Sequence, residues 1–255
     1  MEKFQPSAGL QPFVKSFMII KSETGAESRI LPATSLVLAL KIKGQVSERR
    51  ENKVDVLPSA MISGLRNQAR VLDYSEKTAM FLIAFQEGGA SAFFAHPLHE
   101  LFGRSLPLED LWRRSRISEL EEKLSEAVNN QERVRTVENF LLPQIKVDHF
   151  DQLILNAVQK IKNERGDLKV KELLKFFNTS RDPFEKRFRR IMGTSPKQFS
   201  QIIRLRNLIN RYSPENTLTN LASAAGYFDQ AHFIKDFKSF TGLAPRQFFK
   251  STSYW

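Results

Sequence analysis

Two sets of side chains in the C-terminal part of this chain carry groups that can grip a polyanion or read a donor–acceptor pattern. Arg181, Asp182, Glu185, Lys186 and Arg189 form the first set. Asp229, Gln230, Ala231, His232, Lys235 and Lys238 form the second. Guanidinium and ammonium groups donate to phosphate oxygens, amides and imidazoles both donate and accept, and carboxylates accept from amino groups. The two sets sit in one repeated frame. Phe184, Phe188, Gly193, Pro196, Lys197, Gln198 and Phe199 recur 49 residues later as Phe233, Phe237, Gly242, Pro245, Arg246, Gln247 and Phe248. Self-similarity at a fixed period marks a duplicated supersecondary unit.

Other chemistry finds little support. His96 and His99 are three apart and precede Glu100, but Pro97 intervenes and no third ligand is apparent, so an ordinary turn is expected and no metal. Glu87-Gly88-Gly89 lacks the Lys-Ser/Thr that completes a phosphate loop. No Ser/His/Asp spacing suits nucleophilic catalysis, and the chain has no cysteine for thiolate chemistry, disulfides or Cys-based zinc sites. The expectation is a protein that is not an enzyme and uses no cofactor.

The elements that position the two sets follow from apolar spacing. Residues 150–255 read as all helix. Phe150–Arg165 is closed by Gly166, Val170–Phe177 leads to a turn at Asn178-Thr179, and a helix capped by Ser180 runs to Met192. Pro183 fits its first turn, where a missing N–H costs little. Pro196–Tyr212 reads as a connector. Leu218–Ala224, a turn at Gly226 and Asp229–Phe240 repeat the unit, and Pro245–Lys250 reads as a terminal turn. In each unit the Phe pair at i, i+4 packs inward and leaves the polar set outside. Each is thus a candidate helix-turn-helix, at 168–193 and 217–242; the bland alternative is a helical bundle with a solvated basic face.

Charge separates the halves. The net formal charge is +1 over residues 1–148 and +10 over 149–255, of +11 in all. An excess confined to one half implies a polyanionic partner, and duplex DNA fits the helix-turn-helix frame. No single long amphipathic helix carries the basic residues toward a membrane surface. With no apolar signal core and no run of about 20 apolar residues, a cytoplasmic protein without a membrane partner is expected.

Residues 150–250 resemble the AraC/XylS family of bacterial transcription regulators. The resemblance rests on Phe233-Ile234-Lys235-Asp236-Phe237 leading to Gly242, Pro245 and Phe248, on Leu221-Ala222-Ser223-Ala224-Ala225-Gly226-Tyr227, and on Arg204-Leu205. It implies two helix-turn-helix units joined by one helix, each second helix entering a major groove on the same face of the duplex. Position by position, it implies base contacts from Asp182, Glu185 and Lys186 in the first unit and from Gln230, Ala231, His232 and Lys235 in the second. Arg181, Arg189, Lys197, Lys238 and Arg246 suit phosphates. The chain departs from the pattern at Leu173, where the family favours Ala, the residue found at Ala222 in the second copy. Asp182 and Glu185 can accept from cytosine N4 but repel phosphate.

The N-terminal half reads as short strands, Phe13–Lys21, Ser35–Lys43 and Ala79–Phe85, with turns at Thr24-Gly25, Lys43-Gly44 and Pro58-Ser59. Two helices follow. In the first, Ile117, Leu120, Leu124 and Val128 fall at helical spacing, with Ser118 and Glu121 as a capping box; the second spans Gln131–Leu142. These helices either pack on the strands or form a homodimer face. Arg49-Arg50 and Arg113-Arg114 read as solvated surface charge. The segments Arg29–Pro32, Pro97–Phe102 and Leu106–Trp112 resemble the β-barrel sensor parts of some of these regulators, which implies effector binding or dimerisation; a purely structural role is the alternative.

The expected architecture is α+β: a β-sandwich or barrel-like domain with helices at 1–148, a boundary within Pro143–His149, and an all-α DNA-binding domain at 149–255. The expected function is a sequence-specific transcription regulator with double-stranded DNA as partner. RNA polymerase, a small-molecule effector and a second copy of the chain are further partners. A nonspecific architectural DNA binder is the competing reading.

Overall fold

The computed structural model describes residues 1–50, 53–146, 151–213, 217–224, 226–227 and 229–250. Among these, the N-terminal half forms one antiparallel sheet: β1 Glu2–Phe4, β2 Val14–Ile30, β3 Val37–Lys43, β4 Val46–Arg50, β5 Lys53–Val56, β6 Ala60–Ser63, β7 Arg70–Phe85 and β8 Ser105–Pro107. The long β7 is its spine. One side of β7 pairs with β2 almost throughout, and the other side is divided, its first half taking β4 and its second half β3. The path runs β1-β2-β7-β3-β6-β8, with the β4–β5 hairpin branching from β7.

Alternation along the strands explains why both faces are covered. Leu38, Leu40, Phe81, Ile83 and Phe85 point into the main core, while Ala39, Met61, Leu72 and Met80 form a second cluster on the opposite face. The three expected strands are present, but two run longer than expected. β2 passes through Thr24-Gly25, which the sequence marks as a turn, because Ser22, Thr24 and Ala26 stay paired with Thr78, Glu76 and Tyr74. Gly25 takes φ +83 inside that ladder, the irregularity that an isolated strand glycine often marks.

Three short 3-10 turns, Gly89–Ala92, Leu98–Leu101 and Leu108–Asp110, lead to α1 Arg114–Glu126 and α2 Asn130–Leu141. The expected capping box at Ser118 is not used, since α1 begins four residues earlier at Arg114. Ile117, Leu120 and Leu124 are buried as the spacing predicts, but Val128 lies past the helix end and is 89% exposed. For α2 the cap is Asn129, whose side chain accepts from the Glu132 N–H at 2.9 Å. Trp112 stacks on Phe94 and meets Phe140 edge-on, fastening α2 to the sheet side.

The C-terminal part is helical: α3 Gln152–Asn163, α4 Val170–Phe176, α5 Arg181–Met192, α6 Pro196–Asn210, α7 Leu218–Ala224, α8 Gln230–Thr241 and α9 Pro245–Lys250. The expected start of the first helix at Phe150 and much of the expected boundary lie outside the described residues; Asp151 caps α3 through the Ile154 N–H. The connector α6 stops at Asn210 rather than Tyr212, and the Tyr212 ring stacks on Phe249 at 3.5 Å. Pro245–Lys250 is a short helix rather than a turn.

The two parts share one contiguous core reaching from Leu10 to Phe248. Polar ties cross between them. Arg206 donates to the Pro32 carbonyl at 2.9 Å, the Ala69 N–H donates to the Phe240 carbonyl at 2.9 Å, and Arg29 reaches the Thr241 carbonyl at 3.5 Å. Glu87 accepts from Lys162 at 3.2 Å and from Thr34 at 2.9 Å.

Candidate nucleic-acid interface

A helix-turn-helix needs a tight reversal followed by a helix with one dry and one wet face. In the first unit Asn178 supplies the reversal with φ +45, in the region Asn tolerates better than most side chains. In the second, Gly226 takes φ +71. Each second helix then ends alike, at Gly193 with φ +75 and Gly242 with φ +79, a left-handed termination that a side chain would strain.

The dry faces repeat the sequence period in three dimensions. Phe184, Phe188, Phe199, Phe233, Phe237 and Phe248 are all fully buried. Phe188 meets Phe184 and Phe199, each at 5.8 Å; its counterpart Phe237 meets Phe233 at 5.5 Å and Phe248 at 5.3 Å. Burying one such ring contributes roughly 1.5–3 kcal/mol. Leu173 and Ala222, the pair that differs between the copies, are both buried.

The wet faces carry the expected residues. Arg181, Asp182, Lys186, Arg189 and Lys197 in the first unit are exposed, and so are Gln230, Ala231, His232, Lys235, Lys238 and Arg246 in the second. Glu185 is half-buried and engaged on both sides, accepting from Arg181 at 2.9 Å and lying 3.7 Å from Arg189. An acidic centre thus divides the guanidinium pair of α5. On α8 the neighbouring network is internal. Asp236 accepts from Tyr227 at 3.2 Å and Gln201 at 3.4 Å, and lies 3.6 Å from His232. Burial pushes the Tyr227 phenol up to about 12, with Asp236 adding to the rise and Arg204, stacked 4.9 Å from the ring, opposing it. The phenol therefore stays a donor and holds Asp236 in place. Asp229 caps α8 through the His232 N–H at 2.7 Å, which fixes the start of this face.

Comparison with known proteins follows the same division. Residues 173–251 match the family described as "Helix-turn-helix domain". This part of the chain is an AraC-type helix-turn-helix DNA-binding domain. Residues 2–107, upstream of the AraC-type domain, match a family described as "Domain of unknown function (DUF6597)". An uncharacterized HTH-type transcriptional regulator of Haemophilus influenzae is 26% identical over 161 residues, 62% of this chain; the match spans 53% of that protein, so the chain covers about half the length of this relative. Among solved structures, ToxT of Vibrio cholerae is 14% identical with a TM-score of 0.48, over 92% of this chain and 98% of that one. The AraC-like transcriptional activator CuxR is 15% identical with a TM-score of 0.28, over 82% and 81%.

Sequence reasoning missed the ties that hold the helical part against the sheet. Glu87, dismissed as part of a failed phosphate loop, pairs with Lys162 of α3. Burial alone would raise its carboxyl. Lys162, the Thr34 hydroxyl and a backbone N–H reverse that and hold it below the usual carboxylate range. The paired arginines lie on the surface as expected, though Arg49 is also ion-paired. Arg49 makes a bidentate bond to Asp73 at 2.7 and 3.1 Å and a further one to Glu27 at 2.8 Å. Among the described residues no group of three His, Cys, Asp or Glu could hold a metal, and no helix is long and apolar enough to cross a membrane.

Proposed function

We propose that this chain is a sequence-specific DNA-binding transcription regulator that inserts α5 and α8 into successive major grooves, with the N-terminal part modulating the output. The observation that carries this reading is the pair of exposed polar faces on two second helices, alike in frame and joined by one connector. Asp182, Glu185 and Lys186 read bases from α5, and Gln230, Ala231, His232 and Lys235 read them from α8. Arg181, Arg189, Lys197, Lys238 and Arg246 position the protein on phosphates. The name of the Haemophilus influenzae relative supports regulation of transcription.

The connector constrains how this works. The 15 residues of α6 span roughly 22 Å at 1.5 Å per residue. Grooves on one face of the duplex recur every ~34 Å. The helices must therefore sit offset in their grooves, or the DNA must bend toward the protein. Residues 1–148 are assigned to effector binding or dimerisation, and residues 149–255 to DNA.

Selection from random duplex DNA with the full-length protein tests the assignment. A bipartite motif with halves about one helical turn apart is expected. Retention of all sequences alike, with a steep salt dependence, would make the protein an architectural binder instead.

A further inference from the structure

A small cavity of about 60 Å³ opens between the end of β2 and the segment linking β6 to β7. Its apolar side is formed by Leu31, Val37 and Leu65, its polar side by Ser63, Arg66 and Arg70. The polar side is unbalanced. Arg66 donates to the Gly103 carbonyl and to Ser105 Oγ, each at 2.9 Å, but its buried Nε has no hydrogen-bond partner among the described residues. Arg70 donates once, to Ser105 Oγ at 3.3 Å, and no carboxylate lies within ion-pair distance of it among the described residues. The nearest acid, Glu48, is buried; it lies 3.6 Å from Arg66 and 3.3 Å from Arg50.

Hydrogen-bond accounting sharpens this. Ser105 Oγ has two lone pairs and one proton. Accepting from both arginines leaves its proton for Ser63 Oγ, 2.9 Å away, and so frees the Ser63 proton. Most of the Arg70 guanidinium and the Ser63 hydroxyl are then unspent donors at the cavity, with Arg66 Nε–H buried beside them; Ser35 and Gln68 complete the polar lining. Two guanidiniums beside a carboxylate already shared with a third leave surplus positive charge. Burial, then the adjacent Arg66, lower the Arg70 guanidinium to about 10, opposed by Glu48; it stays charged at neutral pH. A partly buried, uncompensated cation is costly and calls for an anion.

We propose that Arg66 and Arg70 bind a small carboxylate in this cavity, and that α8 senses its presence. A planar carboxylate matches the guanidinium fork, and a short alkyl group suits the apolar side. The volume, set against the ~10–15 Å³ that one water requires, holds roughly five non-hydrogen atoms. The link to α8 is direct. Ala69, in the segment between Arg66 and Arg70, donates to the Phe240 carbonyl in the last turn of α8, and Arg29, next to the cavity, reaches Thr241. This output rests on the regulator reading above; the binding does not.

The test titrates the full-length protein with acetate and propionate, against inorganic phosphate and chloride at matched ionic strength, following thermal unfolding and calorimetry. Saturable stabilisation by the carboxylates is expected. Arg70→Met should weaken it about tenfold or more, the worth of one charge-assisted hydrogen bond. Arg70→Lys, which keeps the charge but not the fork, should weaken it too and guards against a Met variant that does not fold. No saturable effect of any anion, phosphate outcompeting both carboxylates, or equal affinity in the variants would overturn the site. With a selected duplex, propionate should change the DNA Kd of the wild type and not of Arg70→Met. Carboxylate binding with an unchanged DNA Kd would overturn the sensing step. Carboxylate binding by a protein that selects no DNA would sink the regulator reading while the site stands.

Discussion

Glu185, the fifth residue of α5, and Lys235, the sixth of α8, stand in opposite electrostatic settings. Glu185 lies between Arg181 and Arg189 and spends their charge internally. Its replacement in Glu185→Gln should free both guanidiniums for phosphate. The expected result is a steeper salt slope with tighter overall binding, together with weaker base choice at the position Glu185 reads, measured by fluorescence anisotropy on selected and scrambled duplexes from low to moderate salt. An unchanged slope would mean that the two arginines do not reach the backbone. Lys235 is exposed with no ion-pair partner among the described residues. Lys235→Ala should cost about 1–3 kcal/mol and relax choice at one position of the second half-site if the ammonium contacts a base. Equal weakening on selected and scrambled duplexes would make it a phosphate contact.

Among the elements, the duplicated unit was the most legible feature, because Phe, Gly and Pro at fixed offsets mark packing and termination locally. Phe188 and Phe237 hold equivalent places in their ring clusters, Phe237 with Phe249 as a further neighbour at 5.5 Å. Phe188→Ala and Phe237→Ala should each destabilise by about 3–5 kcal/mol, read from urea unfolding. A loss under 1 kcal/mol in either would mean that its unit contributes little to the shared core. The sheet was only partly legible. β4 reads Val-Ser-Glu-Arg-Arg, with no apolar alternation, and exists because β7 offers it an edge. Glu48 is buried there beside arginines far along the chain. Nothing local signals such a site, nor the Arg206–Pro32 bond. Likewise, the expected cap at Ser118 was a sound local pattern outcompeted by packing that starts α1 earlier.

At the scale of the whole molecule, the sheet and the helical part meet through Glu87 and Lys162. The folded Glu87 pKa lies below its ordinary value, so the carboxylate is favoured by folding. Its contribution is full above about pH 4.3, the unfolded value, and is lost as pH falls through the lower folded value. Glu87→Gln should therefore lower the melting temperature at pH 7 and shrink the difference from wild type toward pH 3. A difference that persists at pH 3 would show that shape rather than charge matters here. The C-terminal ends of both second helices also abut the N-terminal part. A Cβ on Gly193 would stand 3.1 Å from the Leu98 carbonyl, and one on Gly242 would stand 2.7 Å from the Arg29 guanidinium. Both arms thus abut one body, and under the proposed reading the protein acts as a caliper whose opening that body sets. A duplex lengthened by one base pair between the half-sites moves the second site about 3.4 Å and turns it by roughly a tenth of a revolution. If the opening is fixed as proposed, the strain falls on the DNA. Spacing then becomes a property the protein measures as strictly as base identity.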